Sequence, residues 1–378
     1  MPKNIVILLD GTSNEISKNR SNILRLYGAL DKSDDQLVYY DPGVGTFATQ
    51  GTWSSISRKV SEVWGMATGF GIDANVKEAY RFLVQNYNRG PEGERDKIYI
   101  FGFSRGAYSA RVLAGFIHAF GLMDVRNLNL LDYVYRAYKR IGEEEPDHAF
   151  AEIRMHERML DPDRPPIRLL GLFDTVASVI ESSGFGIRLR KHAFTNNNAS
   201  VESVRQALAV AELRTMFRPK RWPLGQTYHA KRFNDDAPKP QEAKEVWFSG
   251  VHGDVGGGYP EEEAGLAKIP LHWMIEETKS HGLNYRQTSV DKLVLGQHED
   301  YEKMDPNANA HKSLKGGWWA LEFLPRFKPK NSQRPSLFGL IIPFAEKRHI
   351  PNGACIHSSV LKRSPLPPNL PKDYTTEP

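Results

Sequence analysis

Four short runs of apolar residues, each followed by small or polar residues, dominate the hydrophobic pattern of the chain. They begin at Ile5, Lys97, Ile167 and Glu245, and a weaker fifth run begins at Gln36. Continuous apolar runs of this length are typical of strands that are buried on both faces of a parallel sheet. The pattern therefore predicts a parallel sheet with its main strands at these positions.

Stretches with helical spacing lie between these runs. Their apolar residues recur every three or four positions, at Ile23, Leu24, Tyr27 and Leu30, at Val76, Ala79, Tyr80, Leu83 and Tyr87, and at Tyr108, Val112, Leu113 and Phe116. Strands that alternate with helices predict an α/β fold, a doubly wound, mostly parallel sheet with helices on both faces. Ligands bind at the carboxyl ends of the strands in such sheets, and the polar residues that end the runs lie there.

Two regions interrupt this alternation and set the domain prediction. Residues 188–240 carry basic and polar segments and one helical stretch, which indicates a helical and loop insertion of the kind that often covers an active site. Residues 288–365 are charged and rich in Gly and Pro, which predicts an irregular C-terminal subregion. Because no linker is apparent, we predict one domain over 1–365, followed by an extended tail without helix over 366–378.

The length and the cysteine count limit the kind of protein. A chain of 378 residues can bury a full core without disulfide or metal support. Its single cysteine, Cys355, excludes an intramolecular disulfide and a multi-thiolate zinc site, and it fits a reducing compartment. The start of the chain lacks a signal-peptide pattern, and no run of about 18 apolar residues occurs. We therefore expect a cytoplasmic protein, or one that is secreted without a cleaved signal.

The charge balance is mildly basic. The chain has 50 Lys and Arg residues and 45 Asp and Glu residues, a net charge of +5. Its basic stretches, at 188–191, 218–221 and 326–330, are short and scattered, whereas proteins that bind nucleic acids cluster such residues. The composition therefore argues against nucleic acid as a partner. It leaves attraction to an anionic lipid surface, with peripheral membrane contact, as a candidate use of the charge.

The strongest local motif is Gly102-Phe103-Ser104-Arg105-Gly106, which directly follows a predicted strand and directly precedes a predicted helix. A sharp strand-to-helix turn needs small neighbours, and it raises the hydroxyl of Ser104 above the sheet at a helix N-terminus. This context is that of a nucleophile elbow, and the alternative is an ordinary turn.

A serine nucleophile needs a base and an acid that orients the base. Asp174 and His252 each follow a predicted strand, and the chain order Ser, Asp, His is the one that this architecture uses. Asp254 is the rival for the acid and His357 the rival for the base. Without a catalytic role, Asp174 would cap the next segment and His252 would satisfy backbone groups of its Gly-rich loop.

The loop after the first strand, DGTSN from Asp10, is the expected second part of an oxyanion hole. In this architecture one donor is the amide after the nucleophile, here that of Arg105, and the other comes from a loop after an early strand. We therefore expect Gly11 or Thr12 to supply the second amide and Asp10 to fix the loop through hydrogen bonds.

A metal-dependent phosphoesterase is a competing interpretation, because LLDGT and HGDVGG resemble fragments of phosphatase signatures. A phosphatase that forms an aspartyl-phosphate would need its nucleophile at the position of Leu8. A two-metal enzyme would need further His and Asp ligands, which the sequence does not offer at comparable positions. We therefore expect neither a metal nor another cofactor.

With these motifs the sequence resembles the alpha/beta hydrolase domain that forms the catalytic part of type VI secretion phospholipase effectors. The matching segments extend to about Arg363 and are ILLDGTSNE, YYDPGVGT, IYIFGFSRGAYSAR, GLFDTVASV, VWFSGVHGDVGGGYPE, LHWMIEE and IHSSVLKR. The resemblance implies an alpha/beta hydrolase fold and a serine esterase that cleaves carboxylic esters, with phospholipids as substrates of the secreted members. It implies Ser104 as nucleophile, Asp174 as acid and His252 as base, and an immunity or secretion protein as partner.

Three features depart from that family. Ala211 and Lys268 stand where relatives tend to carry Asp, and the secreted phospholipases are generally longer, with extra membrane-facing segments. Ester hydrolysis is therefore better supported than a phospholipid substrate. The departures also motivate an alternative, a hydrolase fold that has lost catalysis and serves as a binding or regulatory module.

Two apolar clusters in the C-terminal subregion have two interpretations. One contains Phe338 and residues 340–344, and the other is the pair Trp318 and Trp319 after two glycines. Either cluster belongs to the core, as such clusters more often do, or forms a lipid-facing lip beside the active site.

Overall fold

The structure is a computed structural model. It describes residues 2–11, 19–43, 71–90, 94–142, 146–176, 180–183, 186–189, 192–229, 238–328, 332 and 334–378. Fourteen strands lie in these ranges: β1 (Asn4–Leu9), β2 (Gln36–Asp41), β3 (Lys97–Phe103), β4 (Ile167–Phe173), β5 (Ile180–Ser183), β6 (Gly186–Leu189), β7 (Val201–Ala209), β8 (Thr227–Tyr228), β9 (Lys239–Pro240), β10 (Glu242–Phe248), β11 (Arg326–Phe327), β12 (Leu340–Ile341), β13 (Ala354–His357) and β14 (Tyr374–Glu377).

Eight of these strands form the main sheet, in the order β14-β13-β10-β7-β4-β3-β1-β2, and every neighbouring pair is parallel. The five apolar runs of the sequence are β1, β2, β3, β4 and β10. The remaining strands form three antiparallel pairs, β5 with β6, β8 with β9 and β11 with β12. All carboxyl ends of the main sheet therefore meet at one edge.

Helices cover both faces of the sheet. They are α1 (Asn22–Ala29), α2 (Ile72–Asn86), α3 (Arg105–Ala119), α4 (Leu131–Ile141), α5 (Pro146–Leu160), α6 (His252–Gly256), α7 (Gly265–Lys279), α8 (Gln287–Leu293), α9 (Trp318–Glu322) and α10 (Ser358–Leu361). In β1, Ile5, Ile7 and Leu9 pack with α2, α3 and α4, while Val6 and Leu8 pack with α1, α7 and α8. The predicted doubly wound α/β fold is confirmed.

Residues 188–240, predicted as a helical and loop insertion, include β7, a strand of the main sheet that lies between β4 and β10. Its sequence, VESVRQALA, contains charged and amide side chains that interrupt the apolar pattern. These groups have partners inside the protein: Arg205 donates to Glu277 at 2.6 Å, and Gln206 accepts from Arg111 at 2.7 Å. Because its buried polar groups are paired, a strand of this composition occupies the middle of the sheet.

The C-terminal residues complete one edge of the sheet. The tail over 366–378 is extended, and its last residues form β14 beside β13. Glu377 accepts hydrogen bonds from Lys244 Nζ and Trp273 Nε1, both at 3.0 Å. The tail is therefore fixed to the body of the protein, while the division of the chain into one domain stays a prediction.

The turn from β3 to α3 lies very close to the end of β1. A Cβ atom added at Gly106 would lie 2.1 Å from the carbonyl oxygen of Leu9 and 2.4 Å from that of Asp10. One added at Gly102 would lie 2.4 Å from the carbonyl oxygen of Gly106. Glycine at these two positions therefore allows the start of α3 to pack against the loop that follows β1.

We predict that Gly106→Ala lowers the free energy of unfolding by about 1–3 kcal/mol, because the added methyl group forces the backbone of β1 or α3 to move. Gly317→Ala is the matched control, since a Cβ atom there meets no atom within 4 Å. It should change the stability by no more than about 0.5 kcal/mol. Urea unfolding followed by circular dichroism measures both, and equal stabilities would contradict the close contact.

Candidate active site

Ser104 connects β3 to α3 in a strained conformation, with φ 58° and ψ −120°. A positive φ is uncommon for a residue with a side chain, because the Cβ atom then crowds the backbone. A hydrogen bond from the Ser104 amide to the carbonyl oxygen of Phe173, 3.0 Å long, ties this turn to the end of β4. Ser104 therefore lies at the carboxyl edge of the sheet, and it is 8% exposed.

Asp174 directly follows β4 and is completely buried, with a φ of 38°. Its Oδ1 accepts from the amide of Ala209 at 3.0 Å and from one guanidinium nitrogen of Arg348 at 2.6 Å. Its Oδ2 accepts from His252 Nδ1 at 2.5 Å and from the second guanidinium nitrogen of Arg348 at 2.9 Å. The structure thus brings two predicted site residues, Asp174 and His252, into direct contact.

Arg348 is a site residue that the sequence did not predict. Its guanidinium also donates to the carbonyl oxygens of Ala209 at 2.9 Å and Phe217 at 2.5 Å. It is one of eight Lys and Arg residues between 312 and 348, and it lies 174 positions from Asp174 in the chain. No local pattern distinguishes it from its neighbours, so only the fold reveals the pairing.

The charges of this pair follow from burial and from its partners. Burial opposes ionisation of Asp174, but the charge of Arg348 and the hydrogen bonds from His252 and Arg348 outweigh it and lower the pKa of the carboxyl group. Burial lowers the pKa of His252, although Asp174 acts in the opposite direction. Asp174 is therefore ionised and His252 neutral near neutral pH.

Aromatic rings hold the imidazole of His252, and a second ion pair holds its backbone amide. The ring centroid of His252 lies 4.7 Å from that of Phe103 and 4.8 Å from that of Phe217. The His252 amide donates to Glu212 at 3.2 Å. Glu212 in turn accepts from two guanidinium nitrogens of Arg214, at 2.9 and 3.0 Å. Burial opposes the ionisation of Glu212, but the bonds and charge of Arg214 lower its pKa to about 2.

Ser104 and the pair of Asp174 and His252 share one edge of the sheet. Phe103 and Phe173 are register partners, so Ser104 and Asp174 follow adjacent strand ends. The loop of His252 lies against β3 as well, because a Cβ atom on Gly256 would approach the ring of Phe103 to 1.8 Å. Within the described part of the chain, no hydrogen bond joins the Ser104 hydroxyl to His252.

Asp10 bonds to residues that follow it in the chain, Tyr40 of β2 among them. Asp10 accepts hydrogen bonds from the hydroxyl groups of Ser21 and of Tyr40, the latter at 2.9 Å. The amide of Gly11 donates to Asp10 Oδ1 at 2.6 Å, so this conformation directs it to Asp10 and not to a ligand. Thr12, the other expected donor, lies outside the described residues. Arg105 begins α3, where backbone amides point out of the helix.

Asp254 has partners other than His252. Its Oδ2 accepts from the amide of Val251 at 2.9 Å, and its Oδ1 lies 2.5 Å from Nδ1 of His311. Burial raises the pKa of Asp254, and the hydrogen bonds from Val251 and His311 partly offset that effect. These contacts close the glycine-rich loop on itself and tie it to His311, whose Nε2 lies 2.8 Å from Glu263.

His357, the rival base, caps α10. Its Nδ1 lies 2.8 Å from the hydroxyl and 3.2 Å from the amide of Ser359, and its ring stacks on Phe248 at 4.7 Å. Burial lowers the pKa of His357 to about 4. Its described contacts do not include Asp174.

Among the described residues, no group of three or more His, Cys, Asp or Glu side chains is placed to hold a metal ion. The described helices include none that is long and apolar enough to cross a membrane. Cys355 is partly buried in β13, and burial raises the pKa of its thiol.

Comparison with known proteins gives relatives that are longer than this chain. Uncharacterized protein YEL023C of Saccharomyces cerevisiae is 32% identical over 233 residues, which cover 57% of this chain and 32% of the yeast protein. An uncharacterized protein from Pseudomonas aeruginosa is 21% identical, with a TM-score of 0.41, over 75% of this chain and 46% of that one. The Tle1 effector bound to the VgrG spike of the type VI secretion system is 20% identical, with a TM-score of 0.35, over 70% of this chain and 52% of the effector.

A family model gives the assignment. Residues 3–277 match the catalytic domain of the Tle1-like phospholipase effectors of the type VI secretion system. The match includes Ser104, Asp174 and His252, and it ends before Arg348. It confirms the resemblance that the motifs indicated. The chain therefore belongs to the family of Tle1-like phospholipase effector catalytic domains.

Proposed function

We propose that the protein is a serine hydrolase that cleaves carboxylic esters of lipids, with phospholipid acyl esters as the substrate class. The observation that carries the proposal is the 2.5 Å contact of Asp174 with His252 beside the strained turn at Ser104. A serine at such a turn has the geometry of a nucleophile elbow. Membership of a family described as phospholipase effectors supports a lipid ester over other acyl compounds.

In the proposed reaction, Nε2 of His252 accepts the hydroxyl proton of Ser104 while the oxygen attacks the ester carbonyl carbon. The imidazolium then gives this proton to the departing alcohol, which leaves an acyl group on Ser104. Water attacks the acyl-enzyme by the same route and releases the carboxylic acid. Asp174 holds Nδ1–H of His252 and so keeps Nε2 available as the base.

The amide of Arg105 is the proposed first donor to the oxyanion, because it follows Ser104 at the start of α3. The loop after β1 stays the proposed source of the second donor, from Gly11 or Thr12, with Asp10 as the support of that loop. Arg348 is a positioning residue, which acts on the substrate only through Asp174. Asp254 supports the glycine-rich loop.

Replacement of Ser104 tests the nucleophile. We expect Ser104→Ala to lower kcat/KM for acyl esters by at least about 10⁴-fold, because no other group in the mechanism can form the acyl-enzyme. A fluorophosphonate probe should label the parent protein and fail to label this variant. Ser109→Ala is the control, since Ser109 is also buried in α3 but lies outside the proposed mechanism. Undiminished hydrolysis by Ser104→Ala would overturn the assignment.

A paired replacement distinguishes the two candidate acids. Asp174→Asn should lower kcat by about 10⁴-fold, because an amide cannot hold His252 in the required tautomer. Asp254→Asn should cause a smaller loss, since Asp254 bonds Val251 and His311. Steady-state kinetics on one soluble ester measures both variants. A larger loss at Asp254 would transfer the role of the acid to that residue.

The pH profile tests the electrostatics of His252. Its neutral form is the base, and burial lowers its pKa, so activity should persist below about pH 6.5 and disappear as the pH falls through the lowered pKa. Arg348→Gln should move the acid limb of kcat/KM to higher pH, because the unneutralised charge of Asp174 then favours the imidazolium. Arg348→Lys keeps the charge and serves as the control. An unchanged limb in Arg348→Gln would remove Arg348 from the mechanism.

A further inference from the structure

Exposed apolar side chains concentrate on one segment of the C-terminal subregion. Of the sixteen large hydrophobic side chains that are exposed in the described part of the chain, nine lie between 319 and 344. They are Trp319, Phe323, Leu324, Phe327, Leu337, Phe338, Leu340, Ile342 and Phe344, which we call the apolar patch. A large exposed apolar patch of this kind usually marks a surface that binds another molecule. The core interpretation is correct only for Ile341 and Pro343, which are buried.

Contacts join several members of the patch to one another. In the antiparallel pair of β11 and β12, Phe327 lies opposite Leu340. The ring of Phe344 lies 5.2 Å from that of Phe323, which in turn lies 6.4 Å from that of Trp319. Phe327 and Leu340 are therefore paired on the two strands, and the three aromatic rings lie together at α9.

The turn that precedes β12, with Phe338 and Gly339 at its tip, is unusual in its sequence. Leu337 and Leu340 exchange two backbone hydrogen bonds of 2.9 Å across a two-residue turn, in which Phe338 and Gly339 have φ values of 51° and 78°. Such turns favour Asn, Asp or Gly, because a positive φ strains a bulky side chain. Phe338 is nevertheless 93% exposed, so no internal packing compensates for the strain. An exposed aromatic residue at a strained tip indicates a function outside the folded body.

Positive charge is concentrated in the same segment of the chain as the patch. Residues 312–348, which we call the C-terminal arm, contain eight Lys and Arg residues and only two acidic residues, Glu322 and Glu346. The arm therefore carries a formal excess of six positive charges, one of which, on Arg348, is buried and paired with Asp174, whereas the whole chain carries +5. The rest of the chain is close to neutral, so the basic character of the protein belongs to this arm.

Both acidic residues of the arm fix it to the protein and do not offset its outward charge. Glu322 is buried and accepts from the amide and the hydroxyl of Thr215 at 2.7 and 2.6 Å. Glu346 pairs with Arg218 at 2.6 Å. The polar side of the arm is thus fixed, while its apolar side faces solvent.

The arm also reaches the candidate active site. The ring of Trp318 lies 5.4 Å from that of Phe217, which packs on His252, and the end of the arm supplies Arg348 to Asp174. A flat ligand bound to the apolar patch would therefore lie beside the edge of the sheet that carries Ser104.

We propose that the apolar patch and four exposed lysines of the C-terminal arm, Lys312, Lys315, Lys328 and Lys347, form a docking surface for an anionic phospholipid bilayer. Exposed aromatic side chains flanked by Lys and Arg have the chemistry that partitions into the headgroup region of such a bilayer. The negative charge of such a bilayer attracts the positive arm. A second copy of the chain carries the same positive arm and would be repelled by it. The use of docking, to deliver lipid to Ser104, rests on the proposed function, but docking itself does not.

Vesicle sedimentation with the Ser104→Ala protein measures docking without hydrolysis. The protein should bind vesicles of phosphatidylcholine mixed with phosphatidylglycerol, and bind vesicles of phosphatidylcholine alone far less. Added salt should weaken the first interaction. Failure to bind the anionic vesicles would overturn the proposal.

Substitutions locate the surface. The double change Leu337→Ser and Phe338→Ser should lower the affinity for anionic vesicles by about 100-fold, roughly tenfold for each apolar side chain. Met159→Ser is the matched control, because Met159 is 71% exposed and Leu337 72%, yet Met159 lies outside the arm. Lys328→Glu should lower the affinity by about tenfold, with Lys303→Glu as its control. Equal binding by the patch variant and the Met159 control would overturn the assignment.

Two further measurements distinguish membrane docking from ester hydrolysis and from dimer formation. In a background with Ser104 intact, the patch variant should hydrolyse a soluble short-chain ester at the parent rate, because its changes lie outside the catalytic residues. Docking by a protein that hydrolyses no ester would leave this proposal standing and refute the proposed function. A parent protein that is dimeric, with a monomeric patch variant, would show that a second copy covers the patch and would refute the docking surface.

Discussion

The buried carboxylate of Asp174 is the charge on which the site depends. A completely buried anion is very unfavourable unless cations and hydrogen-bond donors surround it. Here a strand amide, an imidazole and a bidentate guanidinium supply them, from Ala209, His252 and Arg348. Those donors come from the end of β7, the loop after β10 and the C-terminal arm. One charge therefore holds together segments that lie far apart in the chain.

The same arrangement sets the state of His252. Burial between Phe103 and Phe217 disfavours the imidazolium, whereas the charge of Asp174 favours it. Arg348 weakens that second influence, because its guanidinium neutralises the carboxylate. The balance leaves a neutral imidazole, oriented by its bond to Asp174, which is the form that a general base requires at neutral pH.

The sequence predicted the features that local patterns encode. Apolar runs identified β1, β2, β3, β4 and β10, and residues after three of those strands included Ser104, Asp174 and His252. It did not predict β7, because Arg205 and Gln206 break the apolar pattern and are acceptable only beside partners that the fold supplies. Arg348 escaped detection for the same reason: its role depends on a contact across 174 positions. The bond from Gly11 to Asp10 is likewise a matter of loop conformation.

The charge of Asp174 also limits how the C-terminal arm can work. If the arm swung away on docking, as a lid does, Asp174 would lose its guanidinium, at a cost of about 3–5 kcal/mol. The bonds of Glu322 to Thr215 would break as well. Burial of one exposed Phe or Leu side chain in a lipid surface returns only about 1.5–3 kcal/mol. Displacement of the arm would therefore consume much of the free energy gained when Leu337 and Phe338 enter the bilayer. An arm that docks without moving keeps the pair of Arg348 with Asp174 and the bonds of Glu322 to Thr215. The structure therefore favours a preformed docking surface over a lid.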